Sequence, residues 1–174
     1  MMILLCGGAA NGKSSFAEAL CMQFPEPRFY LAAMQPYGEE GEARIKRHRA
    51  MREGKGFTTI ERYTDYASLT LPAHATALLE CIANLTANEM FDANGGMTDP
   101  VARVLTGIEA LNAQCERLIV ITNDVGSDGC DYPPETQAYI HAIGTINAAL
   151  AARADTVVEL VAGIPIPLKG ELPN

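Results

Sequence analysis

The apolar run Met2-Ile3-Leu4-Leu5-Cys6 continues directly into Gly7-Gly8-Ala9-Ala10-Asn11-Gly12-Lys13-Ser14, and a helical pattern follows. A strand, a glycine-rich octet ending in Lys-Ser and then a helix are typical of a phosphate-binding loop. The glycines at positions 7 and 12 let successive backbone N–H groups point inward at phosphate oxygens. Lys13 can reach the β- and γ-phosphates, and the Ser14 hydroxyl can ligate Mg²⁺. The octet therefore predicts a nucleotide site without saying which group is transferred.

Composition narrows the class of protein. A chain of 174 residues is expected to form one domain, residues 1–174, with a core of its own. A net charge of −8 argues against a general nucleic-acid partner, because proteins that bind nucleic acids carry surplus Lys and Arg.

The five cysteines are scattered and lack C-x-x-C spacing, which indicates reduced thiols and a cytoplasmic location. The first apolar run is too short for a signal peptide or a membrane span, so we expect the mature chain to start here.

Apolar runs alternate with helical patterns along the chain. We predict buried strands at 2–6, 28–33, 76–80, 117–122 and 156–161. We predict helices at 13–23, 40–52, 82–93, 99–114 and 135–152. This order indicates an α/β fold with a mostly parallel sheet covered by helices on both faces. The tail 161–168 contains two prolines, so it is expected to be an edge strand.

Two strand ends carry polar groups that could face a nucleotide. Glu80 ends the run 76–80, where a carboxylate could orient Mg²⁺ or contact the nucleotide, or could simply face water. Asn123 and Asp124 follow another strand at the edge that carries ligands in such sheets, although these residue types also shape turns.

Positive charge is concentrated in residues 44–55 of this acidic chain. Arg44, His48 and Arg52 recur every four residues on one face of a predicted helix, with Glu40 one turn earlier. Neighbouring cations disfavour imidazolium, which would keep His48 neutral and nucleophilic while arginines neutralise a phosphate. A solvated basic helix with an incidental histidine explains the same pattern, and from the residues alone both readings stay open.

Taken together, the motifs resemble the bifunctional adenosylcobinamide kinase and adenosylcobinamide-phosphate guanylyltransferase family of cobalamin biosynthesis. The resemblance runs almost end to end through the octet and a series of further segments: Ala17-Glu-Ala-Leu20, Ala43-Arg-Ile-x-x-His48-Arg-x-x-Arg52, Thr59-x-Glu61, Leu78-Leu-Glu-Cys-Ile82, Thr122-Asn-Asp-Val-Gly126, Gly144-x-x-Asn147, Ala154-Asp155 and Val161-Ala-Gly-Ile164. It implies a RecA-like fold, a homotrimer, a corrinoid partner and Mg²⁺.

The resemblance also implies two reactions at one site, with ATP or GTP as phosphoryl donor and GTP as GMP donor. His48 would attack the α-phosphate of GTP to form a guanylyl-histidine, and Lys13 would be the second catalytic residue. Implied metal ligands are Ser14 and Glu80. Glu61 and Glu80 match positions that contact guanine, and which one reads the base stays open. The nucleotide-binding residues carried over are Gly7, Gly8, Ala9, Ala10, Asn11, Gly12, Lys13, Ser14, Ala33, Met34, Gln35, Arg49, Arg52, Glu61 and Glu80.

Several positions depart from the family pattern. Ala10 replaces a loop arginine, and Ala33-Met34 replaces two hydroxyl residues before Gln35. The segment Gln137-Ala-Tyr-Ile140-His141 replaces an Arg-x-Phe-Arg-Asp sequence, which removes cations and a carboxylate. Two alternatives therefore stand beside the bifunctional enzyme: a small-molecule kinase without guanylyl transfer, and a GTP-binding regulatory protein without turnover.

Overall fold

The computed structural model describes residues 1–36, 38–91, 94 and 96–173, and at residues 40 and 44 it describes only the backbone. In chain order, the strands are β1 (Met2–Cys6), β2 (Arg28–Ala32), β3 (Phe57–Glu61), β4 (Thr76–Leu79), β5 (Arg117–Ile121), β6 (Thr156–Val161) and β7 (Ile164–Lys169). The helices are α1 (Lys13–Cys21), α2 (Gly38–Arg52), α3 (Ile82–Met90), α4 (Val101–Gln114) and α5 (Pro134–Arg153).

These strands form one sheet in the order β3-β2-β4-β5-β1-β6-β7. All neighbouring pairs are parallel except β6 and β7. The predicted α/β fold and the edge strand in the tail are therefore confirmed. Because β1 lies between β5 and β6, the loop that follows it opens at the middle of the carboxyl edge, where open α/β sheets bind ligands.

The two faces of the sheet are covered differently. Side chains of α3, α4 and α5 form the larger apolar cluster with one face, whereas α1 packs on the other through Ala17, Leu20 and Cys21. Helix α2 presents little apolar surface to either cluster, and Arg52 at its last turn is its buried residue among those with described side chains. A helix held mainly by polar contacts thus stands beside the loop after β1.

Some predicted bounds are wrong, and one strand was not predicted. Strands predicted to end at 33, 80 and 122 end one residue earlier, which places Glu80 just beyond β4. Helix α2 begins at Gly38, α4 at Val101 and α5 at Pro134, while α1 ends at Cys21 and α5 at Arg153. Helix α3 ends at Met90, and residues 92 and 93 of its predicted span lie outside the described residues.

Strand β3 was missed because it is an edge strand with exposed threonines and no buried residue, so it lacks the apolar run used to predict the others.

Across the part of the chain that the structure describes, no helix is long and apolar enough to cross a membrane.

Candidate active site

The loop between β1 and α1 is held against β6. Gly7 has a φ of +133°, and a Cβ there would stand 2.5 Å from the carbonyl oxygen of Leu160. The side-chain amide of Asn11 donates to that same oxygen at 3.1 Å. Gly12 caps α1 in the left-handed region, with a φ of 83°. These contacts explain why glycine is needed at both positions, and they brace the loop on the sheet.

Lys13 lies inside the loop and is only 6% exposed. Its ammonium donates to the carbonyl oxygens of Gly7 at 2.9 Å and Gly8 at 2.6 Å. Burial lowers the pKa of Lys13 from its ordinary value, because the charged form loses hydration. The lysine therefore closes the loop on itself and would have to exchange these carbonyls for phosphate oxygens.

A cavity of about 350 Å³ opens beside the loop. Its walls include residues 9–13, Ser14, Met34, His48 and Glu80. The structure thus brings the loop, the start of α1, the middle of α2 and the end of β4 to one space. This space lies at the carboxyl edge of the sheet, beyond the ends of β1 and β4.

The remaining residues of the 33–35 segment face α3 instead of this cavity. The Ala33 carbonyl accepts a hydrogen bond from Asn88 Nδ2 at 2.8 Å, and Gln35 Nε2 donates to Asn88 Oδ1 at 3.1 Å. Ala33 is fully buried. Ala33 and Gln35 therefore hold the segment in place, and Met34 is its member on the cavity wall.

His48 and Glu80 form the main polar contact of the site. Nδ1 of the imidazole lies 2.8 Å from Oε1 of Glu80, and the two side chains are 18% and 5% exposed. An ionised carboxylate only accepts hydrogen bonds. Nδ1 therefore carries a proton, and its N–H group donates a hydrogen bond to Glu80. This tautomer leaves the lone pair of Nε2 available for chemistry. A carboxylate from outside the helix thus orients the ring. The sequence pattern indicated cations around His48, with Glu40 one turn before Arg44, and the side chains of Arg44 and Glu40 lie outside the described residues.

Two other cations of α2, Arg49 and Arg52, are already engaged. Arg49 pairs with Glu61. Arg52 is 7% exposed, with its guanidinium carbon 3.5 Å from the centre of the Tyr30 ring. Its Nε and Nη1 atoms have no hydrogen-bond partner among the described residues. The basic helix is therefore more than a solvated face, because two of its cations are fixed to the body of the protein.

A second, small cavity adjoins the first. It is lined by His48 and Glu80, which belong to both cavities, and by Arg49, Arg52 and Glu61. Its volume of about 10 Å³ is enough for one water. The two glutamates that sequence analysis connected with guanine are therefore neighbours in space.

Several residues of the larger cavity were not predicted as site residues: Ser15, Arg47, Met51, Cys81, Asn84 and Ile121. The spacing 47, 48 and 51 is the helical signal that could have found Arg47 and Met51. Asn123, predicted either to face the nucleotide or to shape a turn, lines the cavity, and its side-chain amide lies 3.7 Å from the Cys81 sulfur.

Known proteins match this chain over nearly its whole length. Residues 3–168 match the model of the family described as cobinamide kinase / cobinamide phosphate guanyltransferase. The chain is 33% identical to the bifunctional adenosylcobalamin biosynthesis protein CobU of Escherichia coli, over 97% of this chain and 100% of that protein. It is 35% identical to the protein of the same name from Salmonella typhimurium, with the same coverage.

The fold is also similar to that of a solved ATPase from the type III secretion system of pathogenic bacteria. The TM-score is 0.52 at 12% identity, and the match covers 92% of this chain and 52% of that one. This likeness shows a P-loop ATPase type of fold. The nearly full-length family match and the relatives above 30% identity show more: the chain belongs to the cobinamide kinase / cobinamide phosphate guanyltransferase family, whose members are transferases that use nucleotides.

Proposed function

We propose that this protein phosphorylates adenosylcobinamide with ATP or GTP and then transfers GMP from GTP to the product through a guanylyl-His48 intermediate. The product would be adenosylcobinamide-GDP. The observation that carries the proposal is the shared cavity, which has His48 on one wall and the phosphate loop on another. The contact between His48 and Glu80 supports it further, because a regulatory protein needs no oriented imidazole beside the phosphates.

In the guanylyl transfer, Nε2 of His48 would attack the α-phosphorus of GTP. A P–N bond forms, the bond from the α-phosphorus to the bridging oxygen breaks, and pyrophosphate leaves. The Nδ1 proton stays on the ring, where Glu80 stabilises the positive charge that develops. The phosphate oxygen of the corrinoid then attacks the same phosphorus and releases His48 in its starting tautomer.

In the kinase reaction, the corrinoid hydroxyl would attack the γ-phosphorus. The bond to the β–γ bridging oxygen breaks, the nucleoside diphosphate leaves, and the hydroxyl proton passes to water. Lys13 would leave the carbonyls of Gly7 and Gly8 for the β- and γ-phosphates. Ser14 lines the cavity and fits the role of Mg²⁺ ligand together with phosphates and waters. The described residues contain no group of three His, Cys, Asp or Glu that could hold a metal ion. Mg²⁺ bound there would neutralise phosphate charge.

We further propose that Glu61 reads guanine, whereas Glu80 serves His48. Glu61 is 44% exposed and is held by Arg49, so it can exchange that partner for the N1–H and N2–H₂ donors of the base. The Glu61→Gln variant should lose much of the preference for GTP over ITP, which lacks the 2-amino group. Competition between the two nucleotides measures this preference. An unchanged ratio would return the role to Glu80.

The homotrimer, the cytoplasmic location and the single domain over residues 1–174 also remain proposals. A subunit contact is supported by the apolar side chains that β7 exposes: Ile164 is 65%, Ile166 41% and Leu168 59% exposed. The one continuous sheet supports a single domain, and five free cysteines support a reducing compartment. Light scattering coupled to gel filtration would give the oligomeric state.

The decisive experiment incubates the protein with Mg²⁺ and GTP labelled at the α-phosphate. We expect acid-labile label on the wild type and none on the His48→Ala variant. His141→Ala is the matched control, because His141 is exposed on α5, and it should label normally. Absence of label on the wild type would refute the guanylyl-histidine. Corrinoid phosphorylation without label would then select the kinase, and GTP binding without either activity would select the regulatory protein.

A further inference from the structure

Helix α2 presents different cations to two separate spaces. Arg47, His48 and Met51 line the cavity beside the phosphate loop. Lys46 and Arg49 line a groove on the other side of the helix. This division follows from a rotation of about 100° per residue in an α-helix. Two adjacent cations of the same helix, Lys46 and Arg47, therefore serve different surfaces.

Arg47 differs from the other arginines of α2 whose side chains are described. Arg49 pairs with Glu61, and Arg52 is buried against Tyr30. The Arg47 side chain is exposed, and no hydrogen bond or ion pair within the described ranges uses its guanidinium. Arg47 is thus a cation on the wall of the cavity beside the phosphate loop, and the N–H donors of its guanidinium are available to a ligand.

The charges around the cavity leave a role for such a cation. The octet contains one cationic residue, Lys13, and its ammonium is held low in the loop by two carbonyl oxygens. Glu80 adds a carboxylate to the same wall as His48. A nucleoside triphosphate brings several negative charges into this space. A guanidinium binds two phosphate oxygens in a bidentate manner, which an ammonium cannot do.

We propose that Arg47 binds the non-bridging oxygens of the α-phosphate of GTP and stabilises them while His48 attacks. This inference rests on the proposed guanylyl transfer. In-line displacement puts the leaving pyrophosphate on the side away from His48, towards Lys13 and the loop. Arg47 lines the cavity beside the phosphate loop together with His48, whereas Arg49 does not line that cavity, so Arg47 is placed to reach the oxygens of the phosphorus that His48 attacks. The reaction itself is unchanged: the P–N bond to His48 forms, the α–β bridging bond breaks, and Arg47 only offsets charge.

The test compares Arg47→Ala, Arg47→Lys and the matched control Lys46→Ala, which removes the same charge from the adjacent position but from the other side of the helix. First, equilibrium binding of guanosine and GMP is measured for each variant. The dissociation constant of guanosine divided by that of GMP reports the contribution of the α-phosphate alone. We expect Arg47→Ala to reduce this ratio by about tenfold or more, Arg47→Lys by less, and Lys46→Ala by under about threefold.

Second, single-turnover labelling at saturating GTP and γ-phosphoryl transfer to adenosylcobinamide are measured on the same proteins. Guanylylation by Arg47→Ala should fall about 100-fold, as for loss of one transition-state donor, while phosphoryl transfer stays within about fivefold. Equal losses of guanylylation rate in Arg47→Ala and Lys46→Ala would overturn the proposal. They would indicate that the positive charge of the helix acts at long range and that Arg47 makes no specific contact. An unchanged guanosine-to-GMP ratio of dissociation constants would also overturn it. If the wild type takes no label but Arg47→Ala still lowers that ratio, the guanylyl transfer fails while the phosphate contact stands.

Discussion

The Glu80→Gln variant tests the chemistry of the site most directly. It keeps the size and shape of the side chain and removes its charge. In the native structure, Oε1 lies 2.8 Å from His48 Nδ1, and the carboxylate is 5% exposed, so water cannot replace it readily. The variant should therefore act on His48 and leave the phosphate loop unchanged.

The expected size follows from what the contact does. A hydrogen bond to a charged acceptor contributes about 1.5–3 kcal/mol, roughly twice a neutral one. Its strength grows as His48 becomes positively charged during attack, so the loss concerns the transition state. In addition, the new amide can turn its NH₂ group towards Nδ1 and favour the tautomer that protonates Nε2. Together these effects predict that guanylylation slows about 100-fold, or about 2.7 kcal/mol.

The assay is single-turnover labelling with GTP labelled at the α-phosphate, at saturating concentration. Glu109→Gln is the control, because Glu109 is an exposed carboxylate on α4 paired with Arg153. We expect GTP affinity of Glu80→Gln within about threefold of the wild type, with the loss confined to the rate. Wild-type labelling by Glu80→Gln would refute the tautomer argument. A weaker affinity with an unchanged rate would show that Glu80 binds the nucleotide.

Three further predictions concern the frame of the site. Gly7→Ala places a Cβ 2.5 Å from a β6 carbonyl oxygen at a residue with positive φ. In a urea titration, its free energy of unfolding should fall by about 2–4 kcal/mol, against under about 1 kcal/mol for the control Gly8→Ala. Equal losses in the two variants would contradict this. Burial raises the pKa of Cys21 from 9.0 to about 12. The unfolded thiol ionises first, so between pH 9 and 11 wild-type stability should fall about 1.4 kcal/mol per pH unit more than that of Cys21→Ala; parallel curves would contradict it. Lys55 Nζ lies 2.6 Å from Oε2 of Glu18, whose side chain is 1% exposed. Lys55→Met should lower the free energy of unfolding by about 2–4 kcal/mol, because it leaves a buried carboxylate unpaired. Adding Glu18→Gln should restore part of this stability in thermal unfolding.

Local sequence explains why much of the frame could be predicted. The apolar strands β1, β4 and β5 are buried on both faces, so their runs are visible without knowledge of their neighbours. Strand β3 is different: its exposed threonines become a strand only because β2 offers a free edge. Edge strands depend on pairing rather than on burial, which is why β3 was missed.

The phosphate loop is encoded locally, because strand, loop and helix are contiguous over residues 2–21 and the glycines impose their own backbone geometry. The sequence also marked His48 as a residue of interest. The partner of His48 depends on the folded chain, since Glu80 is 32 residues away and reaches α2 from just beyond the end of β4. The structure likewise decided that Arg47, and not Arg49 or Arg52, faces the loop cavity. The rotation of a polar helix is set by its partners across space, such as Tyr30 under Arg52, and no pattern within the helix encodes them.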